Sequence, residues 1–208
     1  MDKLKAIVFW GACWGVLEAT LGWLMHLIHF KGEVLLLYPF GLLCMMMAFK
    51  QTGQVSATVK VAGVAALIKL SNLLIVPTVP VFHVTNPAVA IFLEGCATWA
   101  FCFVVRKRPA FLKSVVSAAV LLMLASILLF RGWQLVMDAY VAYNPALHAP
   151  VDSRLFLLWG WRAVVQGLML AGVYYLVQFF PMNIRFSKWT NWLAIPFLCF
   201  AVLLNGLI

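Results

Sequence analysis

"GACWGVLEATLGWLMHLIH", Gly11 to His29, is apolar enough to lie in lipid, yet it carries Glu18 at its centre and His26 and His29 near one end. An ionised side chain near the bilayer centre costs about 2.5 to 3.5 kcal/mol even on the lenient insertion scale, so Glu18 needs a partner, water or a lost charge. At about 100° per residue, Glu18, His26 and His29 share an arc of roughly 80° with Gly11, Gly15 and Gly22. The stretch therefore reads as a membrane helix with one polar, small-residue stripe facing protein.

The whole chain has the same character. Of 208 residues 65% are hydrophobic and 10% charged, and the mean hydropathy is +1.02. That leaves too little polar surface to cover a soluble globule. A span needs about 20 apolar residues, and the apolar blocks predict an all-α, polytopic bundle of six to seven transmembrane helices. The blocks are Ala6 to His29, Val34 to Phe49, Val55 to Val76, Asn86 to Val105, Ala110 to Phe130, Leu155 to Phe180 and Trp189 to Leu207. The second is short and interrupted by Pro39, so it is expected to be poorly tilted, broken or partly re-entrant. No linker divides residues 1–208, which read as one membrane domain. The first block is too long for a signal peptide and is expected to remain in the mature protein.

Lys and Arg of the connections gather on one side: Lys3, Lys5, Lys50, the run Arg106–Arg108, Lys113, Arg185 and Lys188, against Lys31, Arg131 and Arg154 on the other. By the positive-inside rule the N-terminus is cytoplasmic and the protein lies in the cell's inner (plasma) membrane. The same rule accounts for the net charge of +9 without any nucleic-acid partner. The five cysteines lie in the spans with no C-x-x-C spacing, which indicates neither a disulfide framework nor a zinc ribbon.

Four ionisable residues cannot easily reach an interface: Glu18, Lys69, Glu94 and Arg162. At about 1.5 Å per residue they lie roughly 10 to 16 Å from the outer ends of their helices, in one slab of the outer leaflet. Asn72 shares a helix face with Lys69, and Asn86 shares one with Glu94. Asn86, or Thr85, is expected to cap the fourth helix with Pro87 in its first turn. The four charges can neutralise one another as structural ion pairs, or line a cavity open to the outside. All four histidines fall on the external side, His83 in a short loop and His148 in the long aromatic loop from Arg131 to Arg154. Hydrogen bonding at the interface is their default role. A transition metal or metal-containing ligand held by His26, His29, His83 and His148 is the alternative, though no metal-binding spacing is present. Trp159 and Arg162 lie one turn apart, a candidate cation–π edge.

"LLLYPFGLLCMMMAFKQTG" (Leu35–Gly53), "AALIKLSNLL" (Ala65–Leu74) and "TNPAVAIFLEG" (Thr85–Gly95), following a first helix rich in glycine and alanine, give a layout that resembles the substrate-binding S components of energy-coupling factor (ECF) transporters. The likeness covers residues 5–182, and the span at 189–208 is additional. The resemblance implies a small membrane protein that captures a vitamin or other micronutrient near its outer face, with no chemistry performed. In that family small residues on the first helix dock a scaffold subunit driven by a pair of ATPases, a role that falls here to Gly11, Gly15 and Ala19. The chain has no nucleotide-binding loop, so ATP hydrolysis belongs to another polypeptide. In this reading Glu18, Lys69, Glu94 and Arg162 form the floor of the site, His26, His29, His83 and the loop around Tyr143 to His148 its rim or lid, and Asn72, Asn86 and Trp159 are further substrate-binding residues. Opposed charges suit a small zwitterion or polar heterocycle, and no cofactor is required. A second reading is an intramembrane enzyme acting on a lipid or isoprenoid, with Glu18 or Glu94 as acid or base and His26 or His29 as partner. No nucleophile elbow or metal-binding helix supports it.

Overall fold

The computed structural model describes residues 3–28, 33–76, 78–107, 115–140, 153–179 and 187–207. These residues are helical almost throughout. In chain order the helices are α1 (Lys3–Leu27), α2 (Glu33–Thr52), α3 (Ala57–Leu70), α4 (Asn72–Ile75), α5 (Val81–Lys107), α6 (Val115–Tyr140), α7 (Ser153–Phe179) and α8 (Ser187–Leu207). Five spans, among them α3 and α4 taken together, are long and apolar enough to cross a membrane. The chain is an all-α, multi-pass membrane bundle.

Six helices close a ring in the order α1, α3, α5, α6, α7, α2 and back to α1, with α2 also touching α3. Trp14, Tyr38, Leu42, Met45 and Phe101 fill its interior. The eighth helix lies outside the ring, chiefly against α1 and to a lesser extent α3. Side-chain bonds fix the register of these helices. Trp10 Nε1 donates to Gln51 Oε1 (3.1 Å), Lys50 Nζ to the Val177 carbonyl (2.8 Å), and Arg106 to the Gly53 carbonyl (3.4 Å). These bonds bring the start of α1 and the ends of α2, α5 and α7 together at one end, referred to below as the basic end. At the opposite end Trp133 Nε1 of α6 donates to Asn86 Oδ1 of α5 (3.1 Å).

Several boundaries differ from the sequence expectation. The second helix is neither short nor broken: Glu33–Thr52 runs through Pro39 for 20 residues, about 30 Å at the helical rise. It ends at Gly53, whose φ of 67° lets its N–H reach back to the Phe49 carbonyl at 2.8 Å, the usual glycine stop. The fifth helix begins at Val81, so Asn86 is not its cap and Pro87 lies well inside it. His83 is thereby helical rather than in a loop. The sixth helix continues to Tyr140 and takes in the first ten residues of the expected long loop, where Asp138 is buried. His29 and His148 lie outside the described residues, as do Arg108, Lys113 and Arg185.

Helices approach closely where glycine removes a Cβ. A methyl group on Gly11 would sit 2.5 Å from Val64 Cβ, and on Gly15 2.7 Å from Ile68 Cδ1. On Gly167 of α7 it would sit 2.7 Å from the Val120 backbone of α6, and on Gly95 of α5 it would overlap Ala62 of α3. In lipid, where apolar side chains gain nothing by leaving the solvent, such close packing is a main source of helix association. Replacing Gly95 by Val is expected to cost about 1–3 kcal/mol through overpacking. Gly63→Ala, whose Cβ would meet nothing within 4 Å, is expected to leave stability unchanged; thermal unfolding in detergent compares the two.

Candidate functional site

The stripe on α1 divides in two. Its lower half, Gly11 and Gly15, is packed against Val64 and Ile68 of α3. Its upper half, Glu18 and Gly22, faces a cavity of about 520 Å³ at the end of the bundle opposite the basic end. The cavity lies where α3 ends. At Ser71 the helix tightens: the Ser71 hydroxyl donates to the Ile68 carbonyl (2.6 Å) and its N–H is shared between the Leu67 and Ile68 carbonyls. Such back-bonding by serine competes with the helix ladder and bends helices.

Lys69 and Asn72 line the cavity on either side of this irregularity, Val79 and Pro80 close it from the connection, and His83 and Pro87 from α5. Pro87 has no N–H, so the His83 carbonyl loses its helical donor beside the cavity. The last wall comes from α8, through Asn205 and Gly206. Asn205 is buried, and its Nδ2 donates both to the Ile68 carbonyl (2.7 Å) and to Asn72 Oδ1 (2.7 Å).

Glu18 is held from below by Trp14, whose Nε1 donates to Glu18 Oε1 at 3.0 Å. Trp14 is itself fully buried, set against Gly41 of α2 where no side chain would fit. Glu18 and Lys69 both line the cavity, near enough for the charge of Glu18 to be felt at Lys69. An acid and a base, two amides and an imidazole thus meet in one partly apolar recess.

Of the residues singled out from sequence, Glu18, Lys69, Asn72 and His83 come together here. Others are placed elsewhere. Glu94 accepts a hydrogen bond from Gln166 Nε2 of α7 (3.4 Å) and feels the charge of Glu18, but it does not line this cavity. Beside it the Tyr38 and Thr98 hydroxyls lie close together, both buried and neither in a well-formed hydrogen bond. Asn86 is engaged by Trp133. Arg162 is exposed on α7, away from the other charges, and Trp159 faces Phe156 with ring centroids 6.4 Å apart. His26 lies in α1.

The small residues expected to dock a scaffold subunit are not free to do so. Gly11 and Gly15 are covered by α3, and Ala19 is 3% exposed at the cavity wall. The reason is steric: the residues that would let a partner approach α1 let α3 approach it instead. Asn205 and Gly206 were not anticipated, although a lone amide in an otherwise apolar span is a signal that the sequence does carry. Among the described residues no three His, Cys, Asp or Glu side chains gather as a metal site.

No protein-family profile, curated protein or solved structure matches the chain.

A cavity that holds water exposes its walls to polar reagents, whereas the lipid face does not. In a cysteine-free background, Gly22→Cys, with only Leu37 near its Cβ position at 3.9 Å, is expected to react with a charged methanethiosulfonate. Leu67→Cys, 67% exposed on the outer face of α3, is expected to react at least about tenfold more slowly, since thiolates do not form in hydrocarbon. The rates are read by mass spectrometry.

Proposed function

We propose that the chain is a membrane-embedded substrate-binding protein for uptake of a vitamin-like or micronutrient small molecule. It captures its ligand without chemical change in the cavity between α1, α3–α4, α5 and α8. The membrane is the cell's inner (plasma) membrane. The positive-inside rule makes the basic end cytoplasmic and the cavity external, and energy comes from a separate ATPase complex, as the resemblance to S components implies. A scaffold partner would have to use a surface other than the Gly11–Gly15 face.

One observation carries the reading: Glu18 and Lys69, an acid and a base at membrane depth, line one recess together with Asn72, His83 and Asn205. A recess of this volume, partly apolar with several convergent polar groups, is of a size and kind that small-molecule sites use.

Native mass spectrometry of the protein purified in mild detergent tests it. A small molecule is expected to travel with the wild-type chain, and Lys69→Met and Glu18→Gln are each expected to reduce its occupancy roughly ten- to hundred-fold, the effect of losing one charge-assisted hydrogen bond. Absence of any bound molecule, together with uptake of every tested micronutrient unaffected by either substitution in cells, would overturn the proposal.

A further inference from the structure

Inside the ring, away from the cavity, four polar side chains of three helices meet. Glu94 and Thr98 stand one helical turn apart on α5, which packs chiefly against α3 and α6. Tyr38 of α2 and Gln166 of α7 reach them from across the ring. Gln166 Nε2 contacts Glu94 Oε1 at 3.4 Å, and the Tyr38 hydroxyl lies beside that of Thr98 and within electrostatic reach of Glu94. Thr98, Tyr38 and Gln166 are 0, 1 and 4% exposed, whereas Glu94 keeps some accessible surface.

This cluster is short of partners. The Tyr38 and Thr98 hydroxyl oxygens make no hydrogen bond, and a buried hydroxyl left in that state is costly. Among the described residues Glu94 has only the Gln166 contact, long against the roughly 2.7 to 2.9 Å of a charge-assisted bond. The charge felt at Glu94 is that of Glu18, of its own sign, and no described lysine, arginine or histidine pairs with it. A carboxylate at membrane depth needs a positive partner.

The choice lies between a proton and a metal ion. A proton neutralises Glu94 and leaves the Tyr38 and Thr98 oxygens as they are. A small bare cation binds the carboxylate, both hydroxyl oxygens and, with the amide turned over, the Gln166 oxygen together. Oxygen donors alone suit a hard ion and not a zinc-like or copper-like one. One carboxylate balances one positive charge, and a divalent ion would leave an excess that the ring interior penalises. Between the abundant alkali ions, the smaller fits a point on which side chains already converge.

We propose that Glu94, Thr98, Tyr38 and Gln166 form a binding site for a single sodium ion, which ties α2 and α7 to α5 across the ring. The site is distinct from the cavity beside Lys69, and the inference does not rest on the binding reading above.

The test uses purified full-length protein in lipid nanodiscs and dicyclohexylcarbodiimide, which attacks a protonated carboxyl in an apolar site, with modification of Glu94 read by peptide mass spectrometry. Sodium chloride is expected to slow the modification roughly tenfold or more relative to choline chloride of equal ionic strength, because a bound ion excludes the proton. Potassium chloride is expected to protect less. Radioactive sodium is expected to bind at one ion per chain, and Glu94→Gln to abolish that binding. Thr98→Val and Tyr38→Phe each remove one oxygen with little change of shape. Each is expected to raise the sodium concentration for half-protection about tenfold without lowering thermal stability in choline, since the lost hydroxyl had no partner. Should Glu94→Gln fail to fold, these two variants decide, and should Glu94 resist the reagent in choline, sodium binding decides. Equal modification in sodium and choline makes the occupant a proton and overturns the proposal, as does the absence of saturable sodium binding. Equal protection by potassium overturns the choice of ion, and unchanged half-protection in both hydroxyl variants overturns the site.

Discussion

Gly11 and Gly15 draw α1 onto α3 until the Val64 and Ile68 side chains stand where a Cβ would be, and the rest of the bundle is arranged around that contact. Because the two helices touch along the lower half of the stripe, Glu18 and Gly22 can face the same neighbour one turn higher. There α3 has tightened at Ser71. One row of residues is therefore seam below and cavity wall above. The contact also makes a second surface, since Ala12 and Ile68, together with Ala201, form a small core of their own. Phe9 and Phe197 meet below it at 5.7 Å between centroids. With α8 placed there, Asn205 comes level with Ile68 and Asn72.

The class of fold and the existence of the polar stripe were legible because both rest on quantities local to one helix: hydropathy over about 20 residues and an angle of about 100° per residue. Helix ends were less so. Pro87 looked like a helix start because proline is favoured in a first turn, yet the chain continues the helix back to Val81 and leaves only the His83 carbonyl short of a donor. Arg131 to Tyr140 looked like loop because of its polar and aromatic residues, but it continues α6 and buries Asp138. Which helix a polar face meets was not legible at all. Arg162 and Glu94 share a depth with Glu18 and Lys69, but depth fixes only one coordinate. Arg162 faces outward and Glu94 turns to Gln166, positions set by how α5, α6 and α7 pack. Asn205 was overlooked for a similar reason, since a single amide near a helix end reads as an interface residue until its partner is known.

The polar groups of the interior thus form two sets. Glu18, Lys69, Asn72 and Asn205 border the cavity. Glu94, Gln166, Tyr38 and Thr98 lie inside the six-helix ring, where Glu94 still senses Glu18. The division follows the helices: the first set spans the contact between the ring and α8, and the second joins α2, α5 and α7. Trp14 links the two regions mechanically, since it is wedged against Gly41 of α2 while its indole N–H holds Glu18.

The backbone gives a further reason for the cavity to lie where it does. A carbonyl without its helical partner is tolerated at membrane depth only where protein or water reaches it. One such carbonyl adjoins this recess, that of His83, freed by Pro87, and it belongs to a residue lining the open volume. The Ile68 carbonyl, by contrast, keeps the Ser71 N–H and hydroxyl as donors and accepts the Asn205 amide as well. If the cavity were filled with apolar side chains, Glu18, Lys69 and the His83 carbonyl would together lose the open volume beside them. The recess therefore serves main chain and side chains alike, and the helix outside the ring adds the Asn205 amide to the Ile68 carbonyl at the irregular turn of α3.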